Sequence, residues 1–147
     1  FEPEIPPNTG NLIRLCANTG SALHLIEPLG FSLSDKALRR AGLDYHELAH
    51  VHRHADLEQA RTAAPGRLLA FSTRGTTRYD RVSYRPDDVL LFGPETRGLP
   101  DAVLDALPES QRLCLPMVPG SRSLNLANAA AVALYEAWRQ LDFEGAS

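Results

Sequence analysis

Three short segments carry the side chains that could do chemistry. Leu68 to Thr76 reads LLAFSTRGT, Val89 to Pro100 reads VLLFGPETRGLP, and Leu113 to Leu141 reads LCLPMVPGSRSLNLANAAAVALYEAWRQL. Each opens as an apolar run and empties into glycine, proline, serine or threonine. The third is the most informative. Its run Leu113 to Leu115 stops at Pro116 and Pro119, and Ser123 and Asn125 then lead into an alanine-rich helix. A strand ending in such a loop at a helix start offers backbone N–H groups and short hydroxyls to a ligand. Three of them imply one composite small-molecule site at the carboxyl edge of a parallel sheet.

Other motifs lead elsewhere. His46-Glu47-Leu48-Ala49-His50 matches the HExxH pattern of zinc proteases, where two histidines one helical turn apart hold the metal beside a glutamate base. Its surroundings do not support that chemistry. The segment follows Gly42-Leu43-Asp44 with no long amphipathic helix, and Arg53 and Asp56 stand where the extended pattern needs Gly and His. His52 and His54 alternate as on a strand edge or loop, and no metal is expected. No GxxxxGK[ST] and no GxGxxG occurs, which removes support for a nucleotide triphosphatase or a Rossmann-like oxidoreductase. Ser121 and Ser123 lack the nucleophile-elbow context of a serine hydrolase.

The elements that must position the three loops alternate helix with strand. Asn8 and Thr9 can cap a helix running to about Asn18. Ala22 to Ile26 reads as a strand. Ser34-Asp35 opens a helix through Arg40 that Gly42 stops. Tyr45 to Val51 reads as a strand and Asp56 to Ala63 as a helix. Strands follow at Arg67 to Ser72 and Asp88 to Phe92, a short helix at Asp101 to Ala106, a strand at Arg112 to Leu115, and the long helix Leu126 to Leu141. Strands separated by helices mean an α/β fold with a parallel sheet. The last helix carries Leu126, Ala130, Ala133, Leu134, Ala137, Trp138 and Leu141 on one wide stripe, which suits either core packing or a dimer interface.

The 147 residues make a single domain, residues 1–147, large enough to bury a core without staples. The chain opens at Phe1 on a turn-like segment, FEPEIPPNTGN, and a first strand just upstream is expected to complete the sheet. No apolar run reaches the length of a membrane span and no secretory signal pattern is present. Cys16 and Cys114 lie in apolar contexts as structural thiols, which suits a reducing, cytoplasmic compartment. Net charge is −3, against a generally basic nucleic-acid binder. Between Lys36 and Arg85, however, ten basic residues face five acids, and all but Lys36 are arginine. Arginine suits bidentate phosphate contacts, although a merely solvated surface gives the same pattern.

Three blocks together are more specific than any of these motifs: PPNTGNLIRLCANTG (Pro6 to Gly20), LLFGPETRGLP (Leu90 to Pro100) and LPMVPGSRSLNLANA (Leu115 to Ala129). They resemble the SPOUT, or α/β-knot, RNA methyltransferases, and most closely the short tRNA 2′-O-methyltransferases of the YibK/TrmL type. The segments DKALRRAGLDYHELAHV and YEAWRQL extend the likeness along nearly the whole chain. The resemblance implies a carboxy-terminal deep trefoil knot, an exception to the near absence of knots in proteins. It implies S-adenosylmethionine bound in a bent shape by Phe71, Ser72, Gly93, Leu115, Met117 and Ser123. It nominates Asn8, Arg14, Glu95, Asn125 and Tyr135, together with Ser123, for the chemistry. Caps at Asn8 and Asn125, a loop-bracing Glu95 and a packing Tyr135 are the plainer readings of the same residues. The resemblance further implies a homodimer through the first and last helices. Its substrate would be the wobble nucleotide, position 34, cytidine or modified uridine, in the anticodon loop of leucine tRNAs. Another RNA such as ribosomal RNA, or a non-catalytic knotted RNA-binding factor, is the alternative.

Overall fold

In chain order the elements are α1 (Pro6–Thr19), β1 (Leu23–Ile26), α2 (Asp35–Arg40), α3 (Tyr45–Leu48), β2 (Val51–His54), α4 (Leu57–Ala63), β3 (Leu68–Phe71), β4 (Thr77–Arg78), β5 (Val89–Phe92), α5 (Asp101–Asp105), β6 (Arg112–Cys114) and α6 (Leu126–Gln140). The computed structural model describes residues 1–147, Asp35 and Tyr45 by their backbone.

Strand β3 is buried along its whole length, and the layers follow from it. Leu68 and Ala70 pack on one side with Ile26, Ala60, Leu91, Leu99 and Leu104. Leu69 and Phe71 pack on the other with Val82, Tyr84, Leu113, Ala133 and Ala137. This is the two-residue period of a strand, and covering both faces explains why it reads as an unbroken apolar run. β3 pairs in parallel with β5 and with β6, and β4 pairs with β6, giving the order β4-β6-β3-β5. β1 and β2 form a separate parallel pair. Phe1 and Glu2 lie between the two sheets: Phe1 N donates to Phe92 O at 2.7 Å and Glu2 N to Ile26 O at 3.0 Å.

An ion pair pins the start of this sheet. Arg67 donates through Nε and an Nη to the two oxygens of Asp88 at 2.9 and 2.7 Å, and Arg85 N donates to the same carboxylate at 2.8 Å. The Asp88 side chain is 3% exposed, so its charge depends on these partners. Arg67 and Asp88 immediately precede β3 and β5, and their pairing sets the register in which Leu68 faces Val89.

Helix α6 starts where the sequence places it. Asn125 accepts from Ala127 N at 2.9 Å and Asn128 N at 3.3 Å, the expected capping geometry. Ala127, Ala130, Ala133 and Ala137 form its buried face, and their small side chains let it lie close to the sheet. Val132 and Tyr135 remain exposed.

Two expectations need correction. The strand placed over Tyr45 to Val51 is helix α3 followed by a turn and β2. A capping box decides it: Asp44 Oδ1 accepts from Glu47 N at 2.9 Å, and Glu47 Oε2 accepts from Asp44 N at 2.7 Å. Helix α1 is not capped by Asn8 or Thr9. It begins at Pro6 with Ile5 at the cap position and no capping side chain from that residue. Two prolines start it, and they lack the backbone N–H that a first helical turn leaves without an intrahelical partner. Asn8 and Thr9 are buried within its first turns.

Candidate active site

β3, β5 and β6 end side by side, and the chain beyond them surrounds an open cavity of about 260 Å³. Phe71 and Phe92 face each other in register and stack with ring centroids 4.7 Å apart, forming an aromatic wall. Thr73 and Arg74 line the cavity beyond β3, and Leu124, Leu126 and Ala129 line it from the start of α6. Phe71, Ser72, Gly93, Leu115, Met117 and Ser123, the residues nominated for ligand binding, all line it as well. Phe92 and Arg74 were not singled out from the sequence. Phe92 was findable as the partner of Phe71 once the strands were paired. Arg74 has no local signal: it donates to Leu99 O at 2.6 Å and pairs with Asp101, tying the loop after β3 to that after β5. At Gly93 an added Cβ would run into the backbone of Gly98 and Leu99, so only glycine lets this loop fold back on its own strand end.

The loop after β5 is clamped reciprocally to the amino-terminal segment. Glu95 accepts from Glu4 N at 2.7 Å and from Ile5 N at 3.0 Å. Glu4 in turn accepts from Thr96 N at 3.0 Å and Thr96 Oγ1 at 2.7 Å, bonds that hold its carboxyl below the usual carboxylate range. Ile5 cannot cap α1 with its own side chain, so a carboxylate 90 positions away serves that helix start, where negative charge is favoured. Glu95 Oε1 also accepts from Asn8 Nδ2 at 3.4 Å, and Asn8 Oδ1 accepts from Asn125 Nδ2 at 2.9 Å. The cavity loop, the start of α1 and the start of α6 therefore meet at one joint.

Asn8, Glu95 and Asn125 are brought together, but Arg14 and Tyr135 are not part of that group. Arg14 lies further along α1, where it donates to Glu47 Oε1 and to Gly42 O, each at 2.9 Å. It borders a second cavity, between α1 and the segment 31–43. Tyr135 is 45% exposed and lines neither cavity, and its ring meets Trp138 edge-on with centroids 5.6 Å apart. The HExxH glutamate has both oxygens engaged, one in the α3 capping box and the other with Arg14. Among the described residues, no group of three or more His, Cys, Asp or Glu side chains is placed to hold a metal ion.

The sequence profile of the SpoU rRNA Methylase family matches residues 1–135. The chain belongs to that family. This SpoU-family chain is 61% identical over 147 residues to the tRNA (cytidine(34)-2′-O)-methyltransferase of Escherichia coli K12, a match covering 99% of this chain and 94% of the relative. A solved structure concerned with "the 2-OH methylation of C/U34 on tRNA" superposes with a TM-score of 0.87 at 48% identity, covering 96% of this chain and 92% of the other. The SpoU methyltransferase AviRb from Streptomyces viridochromogenes, in complex with AdoMet, superposes with a TM-score of 0.79 at 27% identity, covering 96% of this chain and 58% of that one. The parallel α/β architecture is thus that of SPOUT methyltransferases.

Proposed function

We propose that this chain uses S-adenosylmethionine to methylate the ribose 2′-hydroxyl of nucleotide 34 in tRNA, with cytidine or a modified uridine as the target. The observation that carries the reading is the cavity at the ends of β3, β5 and β6, in a chain 61% identical to an enzyme named for that reaction. The donor fits the residues present. Phe71, Phe92, Leu115, Met117 and Leu126 offer apolar surface to an adenine ring, and Ser72 and Ser123 offer hydroxyls. Glu95 adds negative charge to the lining, which would suit the positive charge of a bound sulfonium.

When bound, S-adenosylmethionine supplies a methyl group on a good leaving group, so the protein's task is to orient a hydroxyl and assist loss of its proton. Arg14 suits a positioning and charge-stabilising role, because a guanidinium keeps its proton at neutral pH and cannot serve readily as a base. Asn8, Glu95 and Asn125 act by fixing α1, and hence Arg14, relative to the cavity. Tyr135 would orient the ribose from α6.

One chain leaves Arg14 and Tyr135 apart from the cavity, and a homodimer through α1 and α6 would bring a mate's residues to it. The exposed Val132 and Tyr135 on α6 support that assembly. The arginines between Lys36 and Arg85 would then track the phosphates of an anticodon loop, with leucine tRNAs as the class read. Residues 1–147 act as one domain. The carboxy-terminal segment forms a trefoil knot, a reading supported by β6, the last strand, lying between the consecutive β3 and β4. No described helix is long and apolar enough to cross a membrane, which suits work in the cytoplasm.

The test is transfer from labelled S-adenosylmethionine to tRNA lacking modification at position 34, followed by nuclease digestion and nucleoside mass spectrometry. A 2′-O-methylated cytidine or uridine derivative at that position is the expected product. Transfer confined to ribosomal RNA, or none at all, would overturn the assignment.

A further inference from the structure

Glu47, the glutamate of the HExxH segment, joins two elements. Its Oε2 accepts from Asp44 N at 2.7 Å and closes the α3 capping box, and its Oε1 accepts from Arg14 Nε on α1 at 2.9 Å. Arg14 Nη2 donates in turn to Gly42 O at 2.9 Å. Gly42 has φ +76°, a left-handed conformation that glycine adopts without strain, and Leu43 beside it is buried. The Glu47 side chain is 17% exposed and that of Arg14 54%, so the acid is the anchored partner and the arginine the one that reaches outward. A guanidinium carries five N–H groups in a planar fork. Its Nε and Nη2 are engaged here, and among the described residues Nη1 has no hydrogen-bond partner. Two acceptors on one edge fix the plane of the fork and leave its remaining donors to a ligand. A half-exposed ion pair adds little to stability, so the effect of this one is chiefly geometric.

Resting on the function proposed above, in which Arg14 positions the hydroxyl and stabilises developing charge, we propose that Glu47 is a positioning residue for methyl transfer. It holds the Arg14 guanidinium in the orientation that the reaction uses. Glu47 acts only through Arg14. A free arginine on a helix surface samples many rotamers, and ordering it during the reaction would cost rate. A donor fixed beforehand needs no such reorganisation. Helix α3 supplies that fixity, because its capping box orients Glu47 through the oxygen that Arg14 does not use. Gly42 O fixes the second point of the fork from the turn just before α3. The segment that reads as a zinc motif is thus an arginine holder, with its glutamate as a fixed acceptor.

The test compares the full chain with Glu47→Ala, Arg14→Ala, the double variant and Asp44→Ala, assayed on tRNA unmodified at position 34. Glu47→Ala is expected to lower kcat by at least about ten-fold with little change in KM, the mark of an interaction realised in the transition state. On the Arg14→Ala background the same change is expected to cost nothing further, since the two residues act as one unit. Asp44→Ala is the control for α3 itself. It removes the other half of the capping box and leaves the Glu47–Arg14 contact, so a similar small drop in Tm is expected with kcat retained. The Nε–H resonance of Arg14, assigned by its loss in Arg14→Ala, supplies a readout apart from turnover. It is expected to shift and to exchange faster with water in Glu47→Ala and to stay in place in Asp44→Ala. Wild-type kcat in Glu47→Ala, a further full loss in the double variant, or equal losses in Glu47→Ala and Asp44→Ala would each overturn the inference while leaving the methyltransferase reading intact. Normal turnover by Arg14→Ala, or a wild type that methylates no tRNA, sinks both.

Discussion

Asn125 Nδ2 donates to Asn8 Oδ1 across 2.9 Å, joining residues 117 positions apart in the chain. The same Asn125 caps α6 through its Oδ1, and the same Asn8 reaches Glu95 through its Nδ2. Each amide thus uses both ends. The start of α6, the start of α1 and the loop after β5 are held in one geometry by these side chains and the backbone N–H groups that Glu95 and Asn125 receive.

Asn8→Ala removes an acceptor from Asn125 and a donor from Glu95 in a buried place. Unfolding in urea is expected to show a loss of about 1–3 kcal/mol, the usual cost of stranding buried polar groups. Methyl transfer is expected to fall by about 100-fold, because α1 no longer sits at a fixed distance from the cavity. An unchanged midpoint with full turnover would make the joint dispensable.

Gly93→Ala forces a Cβ against the Gly98 and Leu99 backbone. The loop must open, at a cost of about 1–3 kcal/mol, as for other overpacked sites. Calorimetric affinity for S-adenosylmethionine is expected to drop, whereas a distant effect on RNA alone would leave it unchanged.

Arg14→Ala separates the two ligands. Arg14 borders the second cavity and not the first, so donor binding is expected to be retained while transfer falls by at least about 100-fold. Normal turnover by this variant would end its assignment to the reaction.

Asp88→Ala leaves Arg67 without its main partner at the base of the sheet. Chemical denaturation is expected to show a loss of about 3 kcal/mol, in keeping with a broken, partly buried pair. A loss near zero would mean that solvent already screens the pair.

His24 provides a pH dependence. Its Nδ1 lies 2.8 Å from His54 Nε2, and its ring stacks on His52 and His54 with centroids 5.0 Å away in each case. Burial first, then the two neighbouring imidazoles, lower its pKa from the ordinary 6.5. As pH falls below that value the unfolded chain takes up a proton that the folded chain refuses. Stability therefore declines from pH 6.5 downward until the lowered pKa is passed, and this group contributes no change above pH 7.5. Melting temperatures between pH 5 and 8 are expected to show the decline, and His24→Gln is expected to flatten it. Identical profiles for the two proteins would remove His24 as the cause.

Features whose cause is local were legible in the residues. The Asn125 cap and the alanine face of α6 could be read because a cap and a 3.6-residue stripe are written within a few positions. The runs at Leu68 and Val89 read as strands for the same reason. The Asp44–Glu47 capping box was also written locally, but the Tyr45 to Val51 run was read as a strand. There the backbone hydrogen bonds of a helix start outweighed strand propensity, which is the weaker and more context-dependent signal.

By itself the sequence determined the α/β class, the strand-end loops and the family blocks, because these follow from periodicity and contiguous motifs, and the family resemblance carried by those blocks named Phe71, Ser72, Gly93, Leu115, Met117 and Ser123 of the first cavity. Tertiary structure alone decided that Asn8 is a joint and not a cap, that Glu95 serves a helix 90 positions away, and that Arg14 and Tyr135 stand apart from the first cavity. It also decided that Glu47 meets Arg14. The physical reason is common to all four: a polar side chain's role is set by the partner that completes its hydrogen bonds, and in a parallel sheet with crossovers that partner lies at no readable distance along the chain.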